Sequence, residues 1–384
     1  MSLRDIVVVG ASAAGNTAAL TLRREGFDGR ITVVGAEDRM PYDRPPLSKQ
    51  VLDGRWAPER VVLPAAPDVT WRLGVPAGAL DIAGRALTLT DGARLPYDGL
   101  VLATGVAPRP LPYGHDLAGV HLLRTADDAL ALREGLLSAA SVVVVGAGFL
   151  GAETAAVART LGLDVTLVDP LPAPMVRQFG PRVGALLADL HRAHGVAVRM
   201  GTGVTALHGT DGRVTGVGLT DGPAVAADVV LVAIGSVPAT DWLTDSGLSL
   251  TNGVDCDDLC RAAPGVVAAG DVASWPHPEL GGRRLRVEHR MNATEQAVAA
   301  ARTLLGKGTP YAPVPYFWTD QYDVKLQAYG SWTQDAALAV VEGSPQEGRF
   351  AAVYHEKGIV TGVLGWNMPR ATRQLRASLG TPAP

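Results

Sequence analysis

Short, continuously apolar runs recur along the chain, each followed by small residues and then by a helix-forming stretch. The runs occupy residues 6–9, 31–34, 99–102, 142–145, 165–168 and 229–234. A strand in the middle of a parallel sheet is buried on both faces, so it is apolar throughout instead of alternating with polar residues. The pattern therefore predicts an α/β protein built on parallel sheets.

The first run breaks at Gly10 into the small residues that join a strand to a helix in a nucleotide-binding βαβ unit. Gly10 allows the tight turn, Gly15 lets the helix pack closely on its strand, and Ser12 stands at the middle position of the usual G-x-G-x-x-G. The helix beginning near Ala13 would direct its first N–H groups at a phosphate. Glu37, after the second run, is placed to bind a pair of ribose hydroxyls. The alternative is a small-residue turn of the kind found in any α/β protein.

A repeat of the whole arrangement favours the nucleotide site. The run at 142–145 leads into a complete G-x-G-x-x-G. Its glycines are Gly146, Gly148 and Gly151, and the strand after the following alanine-rich helix ends at Asp169. Two such fingerprints predict two bound dinucleotides, and electron transfer between them is the chemical reason for holding both.

Composition and charge narrow the class of protein. A chain of 384 residues is long for one core, which favours two or three domains. The net charge of −4 argues against a general nucleic-acid binder. No apolar run approaches the roughly 18 residues of a membrane span, and the N-terminus leads directly into a strand, so we expect a cytoplasmic protein with no membrane partner.

The two cysteines, Cys256 and Cys260, form neither a C-x-x-C motif nor a metal quartet. We expect incidental thiols and no metal site, with a redox or metal role as the alternative. Their scarcity fits a reducing compartment.

Three further segments carry candidate chemistry. Residues 41–49 (PYDRPPLSK) contain three prolines that make the segment rigid, and its Arg44 and Lys49 suit an anionic ligand or a solvated basic loop. The run at 99–102 ends in a small-residue turn and a proline-rich linker, where we expect a domain boundary. A later strand delivers Asp271 at its carboxyl end, where α/β sheets keep their ligands.

Residues 6–368 resemble the bacterial FAD-dependent ferredoxin reductases of the putidaredoxin-reductase type, within the glutathione-reductase-like flavoproteins. The most specific motifs are PYDRPPLSK at 41–49, GDVA at 270–273 and FWTDQYD at 317–323. The resemblance implies two Rossmann-like dinucleotide-binding domains, one inserted in the other, plus a smaller C-terminal α+β domain. The implied segments are an FAD-binding domain at 1–112 and 238–308, an NAD-binding domain at 113–237 and an interface domain at 309–384.

The resemblance also assigns residues to the cofactors. For FAD these are Gly10, Ser12, Ala13, Ala14, Gly15, Glu37, Arg44, Pro45, Lys49, Ala77, Ala103, Thr104, Gly105, Arg124, Asp271, Glu288, Arg290 and Trp318. For NAD the candidates, which rest chiefly on the second fingerprint and the residues around it, are Gly146, Gly148, Phe149, Leu150, Gly151, Glu153, Asp169, Arg177 and Gly235. The implied catalytic residues are Lys49 beside the flavin ring, Glu153 as its partner, and Trp318 near the ring edge.

The sequence departs from this family in two places and lacks one feature of its thiol-dependent relatives. Ser12 replaces a glycine, and Arg290 stands where many relatives carry an aromatic or apolar residue close to the flavin, which leaves the potential of the flavin open. Thiol-dependent relatives carry a redox cysteine in the segment after the ribose-binding glutamate, whereas residues 40–52 contain none. Disulfide reductase and peroxidase activities are therefore disfavoured.

The resulting hypothesis is an enzyme that takes a hydride from NADH onto FAD and passes single electrons to a [2Fe-2S] ferredoxin, which serves a haem or Rieske oxygenase. One alternative is a flavoprotein whose redox state controls partner binding, as in apoptosis-inducing-factor-like proteins. Another is an NADH-dependent reductase of a quinone or organic radical. We expect a monomer or weak homodimer that binds no nucleic acid.

Overall fold

The structure is a computed structural model and describes residues 3–383. Its α-helices are α1 (Ala13–Arg24), α2 (Ala126–Ser138), α3 (Phe149–Thr160), α4 (Val176–Ala193), α5 (Arg290–Leu304) and α6 (Pro369–Leu375). Its strands are β1 (Asp5–Val9), β2 (Arg30–Val34), β3 (Thr70–Arg72), β4 (Ala77–Asp81), β5 (Ala86–Leu89), β6 (Arg94–Pro96), β7 (Gly99–Leu102), β8 (Val106–Pro108), β9 (Val120–His121), β10 (Ser141–Val145), β11 (Asp164–Asp169), β12 (Ala197–Met200), β13 (Val204–Thr210), β14 (Arg213–Leu219), β15 (Val225–Ala226), β16 (Val229–Val232), β17 (Ser236–Pro238), β18 (Val254–Asp255), β19 (Arg261–Ala263), β20 (Val266–Ala268), β21 (Ala273–Pro276), β22 (Arg284–Leu285), β23 (Tyr316–Gln321), β24 (Val324–Gly330), β25 (Ala337–Ser344), β26 (Arg349–Glu356) and β27 (Ile359–Trp366).

The described chain divides into two compact units. The first contains residues 3–43, 61–107 and 237–315, and the second contains residues 44–60, 108–236 and 316–383. The division falls inside the PYDRPPLSK motif, between Asp43 and Arg44. The finer division into four segments, with boundaries at 112, 237 and 308, stays a prediction.

A six-stranded sheet with the order β19-β20-β7-β1-β2-β3 forms the centre of the first unit. Its central strand β1 runs parallel to β2 and β7, and Ile6, Val7, Val8 and Val9 are all buried. Strand β1 is apolar along residues 6–9 because a central parallel strand is covered by protein on both faces, as the sequence pattern predicted. Helices α1 and α5 pack against each other beside this sheet.

The second unit contains a five-stranded parallel sheet with the order β12-β11-β10-β16-β9. The turn after its central strand β10 has the same geometry as the turn after β1 in the first sheet. The Gly10 N–H donates to the Val34 carbonyl at 2.8 Å, and the Gly146 N–H donates to the Val168 carbonyl at the same distance. The repeat inferred from the two glycine motifs is thus a repeat of backbone hydrogen bonding as well.

The second unit also contains an antiparallel sheet with the order β23-β24-β27-β26-β25. One face packs on α4, where Phe179 and Leu187 join Phe350 and Leu364 in one apolar cluster. The other face packs on α6. Because both faces are covered, residues 350–354 of β26 are all buried.

Helix α4 is one element that the sequence analysis did not predict. Its apolar residues Phe179, Val183 and Leu187 follow helical spacing, but Gly180 and Pro181 interrupt the pattern. Gly180 has non-helical angles (φ 76°, ψ 174°), and a kink separates the two parts of the helix there. A helix with a breaker near its start is difficult to recognise from periodicity alone.

Candidate functional site

The two glycine-rich turns leave no room for side chains at their first and last glycines. A Cβ on Gly10, whose φ is +115°, would lie 2.1 Å from the carbonyl oxygen of Ala103. A Cβ on Gly15 would lie 1.8 Å from the Gly10 oxygen. The second turn repeats these contacts, with corresponding distances of 2.3 Å at Gly146 and 1.8 Å at Gly151. The first glycine of each turn is therefore required by a carbonyl that follows a neighbouring strand, and the last by the close approach of the helix to its own strand.

The middle position of the turn tolerates a side chain. At Gly148 an added Cβ would meet no atom within 4 Å. Ser12, its counterpart in the first unit, has extended backbone angles (φ −108°, ψ −160°) that any L-residue adopts. The serine therefore fits the turn itself without strain.

The helices that follow these turns have no side-chain cap at their N-termini. Neither Ser12 before α1 nor Gly148 before α3 accepts a hydrogen bond from the first turn, and neither first turn contains an acidic residue. Helix α2 differs, because Thr125 and Asp128 form a capping box at its start. The first-turn N–H groups of α1 and α3 thus fit a phosphate, whose negative charge the helix N-terminus favours.

The two acidic residues at the strand ends already have partners. The Tyr42 hydroxyl donates to the Glu37 carboxylate. Asp169 accepts the N–H of Ala147 at 2.7 Å and that of Leu171 at 2.8 Å. Asp169 therefore holds the second glycine-rich turn in place, and binding of a ribose by either carboxylate stays a prediction.

Thr104 and Asp271, two further implied FAD residues of the first unit, lie in segments that hydrogen bonds hold in place. The Thr104 hydroxyl donates to the carbonyl of Ala239 at 2.9 Å. The Asp271 carbonyl accepts from Arg286 at 3.0 Å, and Arg286 also forms an ion pair of 2.6 Å with Glu288. These contacts fix the backbone beside both residues.

Arg290 forms an ion pair with an acidic residue of the PYDRPPLSK motif. Its Nε lies 2.5 Å from the Asp43 carboxylate, and its guanidinium also donates to the Thr294 hydroxyl. Arg290 therefore brings a partly compensated charge to the position where many relatives are aromatic or apolar. A paired guanidinium acts on its surroundings more weakly than an isolated cation.

A buried ion pair lies in the second unit. Lys49 Nζ is 2.7 Å from Glu153 Oε2, and their side chains are only 9% and 6% exposed. The Ser48 hydroxyl donates to the same oxygen at 2.6 Å, and the Thr319 hydroxyl donates to Glu153 Oε1 at 2.9 Å. Three segments meet at this carboxylate: the 3₁₀ helix Pro45–Ser48, α3 and β23.

Ser48 and Thr319 are members of this site that the sequence analysis did not assign. Both lie inside motifs that carry the family resemblance, at 41–49 and 317–323. A further signal was available, because Thr319 and Gln321 alternate along β23 and are buried polar residues in a strand. Buried polar side chains need hydrogen-bond partners, so a polar stripe on a buried strand face indicates a network.

Trp318 lies on the opposite face of β23 from Thr319, because successive side chains of a strand alternate. It is half-buried and stacks with Tyr316, with ring centroids 5.7 Å apart.

Four further implied site residues of the second unit lie outside this strand. The Arg44 guanidinium donates to the Arg124 carbonyl at 2.5 Å. The Gly235 carbonyl accepts from a backbone N–H, and Arg177 is exposed on α4.

The implied site residues divide between the two units. The first unit contains Gly10, Ser12, Ala13, Ala14, Gly15, Glu37, Ala77, Ala103, Thr104, Gly105, Asp271, Glu288 and Arg290. The second contains Arg44, Pro45, Lys49, Arg124, Gly146, Gly148, Phe149, Leu150, Gly151, Glu153, Asp169, Arg177, Gly235 and Trp318.

The cysteines are poorly suited to redox chemistry. Cys256 and Cys260 are both buried free thiols, and burial raises the pKa of the Cys256 thiol to about 12. Burial also raises the pKa of Cys260. Since the thiolate is the reactive form, neither residue resembles a catalytic thiol. Over residues 3–383 there is no group of His, Cys, Asp or Glu side chains that could hold a metal ion, and no helix long and apolar enough to cross a bilayer.

Comparison with known proteins agrees with this geometry. Residues 4–301 match the pyridine nucleotide-disulphide oxidoreductase family, and residues 316–383 match the reductase C-terminal family. The chain therefore belongs to the pyridine nucleotide-disulphide oxidoreductases. Within them it is an NAD(P)H-dependent FAD oxidoreductase of the putidaredoxin-reductase type, as the sequence motifs predicted.

Two curated relatives and one solved structure illustrate the likeness. The chain is 39% identical to rhodocoxin reductase of Rhodococcus erythropolis over 389 residues, covering 99% of this chain and 90% of the relative. It is 39% identical to the ferredoxin–NAD(+) reductase component of the biphenyl dioxygenase system of Paraburkholderia xenovorans, covering 90% and 85%. The reductase chain of the covalent putidaredoxin reductase–putidaredoxin complex superposes with a TM-score of 0.92 at 33% identity, covering 97% and 92%.

The turn geometry of this oxidoreductase predicts opposite outcomes for two substitutions. Ser12→Gly should change the FAD dissociation constant by less than about threefold, because the serine side chain caps nothing and the turn already suits it. Gly15→Ala should prevent FAD retention, because its Cβ would lie 1.8 Å from a backbone oxygen. Flavin absorbance after gel filtration measures both, and a large loss of FAD in Ser12→Gly would contradict the argument.

Proposed function

We propose that this oxidoreductase is an NADH-dependent FAD ferredoxin reductase that passes electrons to a [2Fe-2S] ferredoxin of a haem or Rieske oxygenase system in the cytoplasm. The observation that carries the proposal is the presence of two glycine-rich turns with matching geometry, each followed by an uncapped helix, in one chain. The biphenyl dioxygenase relative bears the name of a ferredoxin–NAD(+) reductase, which supports this acceptor and this donor.

Bound FAD supplies hydride acceptance and single-electron donation, which a protein side chain cannot supply. The chain provides the binding and the electrostatics. In the first unit, the uncapped N-terminus of α1 suits the pyrophosphate of FAD, and Glu37 suits the adenosine ribose. In the second unit, the uncapped N-terminus of α3 suits the pyrophosphate of NADH, and Asp169 suits its ribose.

Lys49 has the properties of a fixed charge that stabilises negative charge developing on a reduced ring. Its ammonium is buried, and Glu153 holds it at 2.7 Å. A preorganised cation in a site with little water acts more strongly than a solvated one, and it needs no reorganisation during the reaction. We assign Lys49 this role beside the flavin, with Glu153 as its counter-charge and Trp318 near the ring edge.

The preferred electron acceptor distinguishes a ferredoxin reductase from a quinone reductase and from a redox-controlled binding protein. The FAD-loaded protein should be reduced by NADH and then reduce a [2Fe-2S] ferredoxin of a bacterial oxygenase system, with kcat/KM at least about tenfold above that for a soluble benzoquinone. A higher kcat/KM for the quinone would favour a quinone reductase. Slow turnover with a long-lived reduced flavin–nicotinamide complex would favour a redox-controlled binding protein.

Substitution of the buried lysine should affect chemistry more than FAD binding. Lys49→Met should slow flavin reduction by NADH by about tenfold or more while FAD stays bound, because a preorganised charge is lost. Removing one partner of a buried pair also destabilises the fold, by about 3–5 kcal/mol. The double variant Lys49→Met/Glu153→Gln is the matched control, since it should recover stability without recovering the rate. Unchanged stopped-flow reduction in Lys49→Met would show that the assigned role is wrong.

The acidic residue at the end of β11 should set the preference for NADH. The Asp169 carboxylate would repel the 2′-phosphate of NADPH, so kcat/KM should be higher with NADH, and Asp169→Asn should narrow the difference. Arg177 is exposed eight positions later, so Arg177→Ala should reduce the use of NADPH more than that of NADH. The melting temperature of Asp169→Asn must also be measured, because the Asp169 carboxylate accepts hydrogen bonds from two backbone N–H groups that hold the turn. Equal or better kcat/KM with NADPH in the unmodified protein would rule out the assignment.

A further inference from the structure

A chain of side-chain hydrogen bonds extends through the second unit from Glu153 to Tyr322. Thr319 Oγ1 lies 2.9 Å from Glu153 Oε1, and Gln321 Nε2 lies 3.3 Å from Thr319 Oγ1. His191 Nε2 lies 3.0 Å from Gln321 Oε1, and His191 Nδ1 lies 3.2 Å from the Tyr322 hydroxyl. The three middle residues are completely buried, and Tyr322 is half-buried.

In this series of hydrogen bonds, the donor and the acceptor of each bond can be assigned in only one consistent way. An ionised carboxylate only accepts, so the Thr319 hydroxyl must donate to Glu153. The Thr319 oxygen then accepts from the amide nitrogen of Gln321, which also lies 3.4 Å from the sulfur of Met175, a weak acceptor. The Gln321 carbonyl oxygen therefore faces His191 and accepts its Nε2–H. The remaining ring nitrogen, Nδ1, accepts from the Tyr322 hydroxyl.

The surroundings of His191 agree with this neutral tautomer. Burial is the main cause that lowers the pKa of His191 to about 4; the hydrogen bond to Gln321 opposes this shift, and the nearby His194 contributes to it. The ring is thus uncharged at neutral pH, with one nitrogen as donor and the other as acceptor. The Tyr322 ring closes this end of the chain by stacking on His194, with centroids 3.7 Å apart.

We propose that Gln321 and His191 are positioning residues for the Lys49–Glu153 pair, because they orient the Thr319 hydroxyl so that it donates to Glu153. The inference rests on the proposed role of Lys49 beside the flavin. His191 fixes the Gln321 amide, and that amide in turn fixes the direction of the Thr319 proton. None of the three touches a cofactor in this assignment, and each acts through its neighbour.

This orientation changes the charge that Glu153 presents to Lys49. Hydrogen bonds from Ser48 and Thr319 disperse the negative charge of the carboxylate over both oxygens. Without the His191 donor, the Gln321 amide can turn over and offer its oxygen to the Thr319 proton. Glu153 then loses its donor at Oε1, and more of its charge acts against the Lys49 ammonium. A reduced, negatively charged ring beside Lys49 is then less stable.

Two substitutions of His191 separate this role from a packing role. His191→Gln can place an N–H near the position of Nε2 and so keep the bond to Gln321, whereas His191→Asn places its amide near Nδ1. In the FAD-loaded protein, His191→Gln should retain the rate of flavin reduction by NADH to within about twofold, and His191→Asn should slow it by about fivefold or more, the effect expected for one lost hydrogen bond. The midpoint potential of FAD should become more negative in His191→Asn only.

Thr319→Val tests the next bond of the chain. It should slow reduction and shift the potential in the same direction as His191→Asn. Thr361→Val is the matched control: it is the same exchange in β27 of the same sheet, and the Thr361 hydroxyl, within the part of the chain that the structure describes, has no hydrogen-bond partner. The control should leave both quantities unchanged. Equal effects of His191→Gln and His191→Asn on the potential, or none in Thr319→Val, would overturn the proposal.

Ring-nitrogen chemical shifts of the 15N-labelled, FAD-loaded protein give a test that does not depend on turnover. His191 should be neutral with its proton on Nε2 at neutral pH, and a proton on Nδ1 would contradict the assigned direction. Failure of NADH to reduce the unmodified protein would refute the proposed function and leave this tautomer measurement standing. A correct tautomer with unchanged potentials in the variants would refute the positioning role alone.

Discussion

The cost of burying the Glu153 carboxylate constrains three separate segments of the second unit. An ionised group removed from water needs several partners, and a single cation at 2.7 Å does not satisfy both of its oxygens. Lys49 and Ser48 come from the proline-rich segment, and Thr319 comes from a strand more than 100 residues later in the chain. The motifs at 41–49 and 317–323 are therefore linked through one carboxylate of α3. This is a physical reason for both motifs to be present in the same chain.

The two nucleotide turns show which features of a binding motif serve the fold and which suit a ligand. Gly10 and Gly15 are required by contacts within the protein, since a Cβ at either would overlap a backbone oxygen. The middle position has no such contact at Gly148, and its counterpart is Ser12. The departure from the usual motif thus lies at the one glycine position that the backbone does not require. A non-glycine residue at this middle position is therefore compatible with the nucleotide-binding fold.

Much of the fold could be predicted because it depends on local patterns. The apolar runs of β1 and β10 and the glycines that follow them report burial on both faces and a tight turn, which are properties of a short stretch of sequence. Helix α4 could not be predicted in the same way, because Gly180 and Pro181 break its periodicity and packing against the C-terminal sheet stabilises it. The partners of Glu153 were also only partly predictable. Spacing along the chain does not show which distant hydroxyl meets a carboxylate, although the buried position of Thr319 in a strand was a usable signal.

Strand β23 shows how one short segment can separate two environments. Thr319 and Gln321 point inward, where each polar atom must find a partner in the protein, and they connect the carboxylate of α3 to His191 of α4. Tyr316 and Trp318 point to the other face, where they stack as half-buried aromatic rings. A substitution at an inward position therefore acts through hydrogen bonds on the Lys49–Glu153 pair, and one at an outward position acts on the aromatic surface. Substitutions at neighbouring positions of this strand thus have different effects. The residue types of the motif at 317–323 alone therefore do not show the role of each residue.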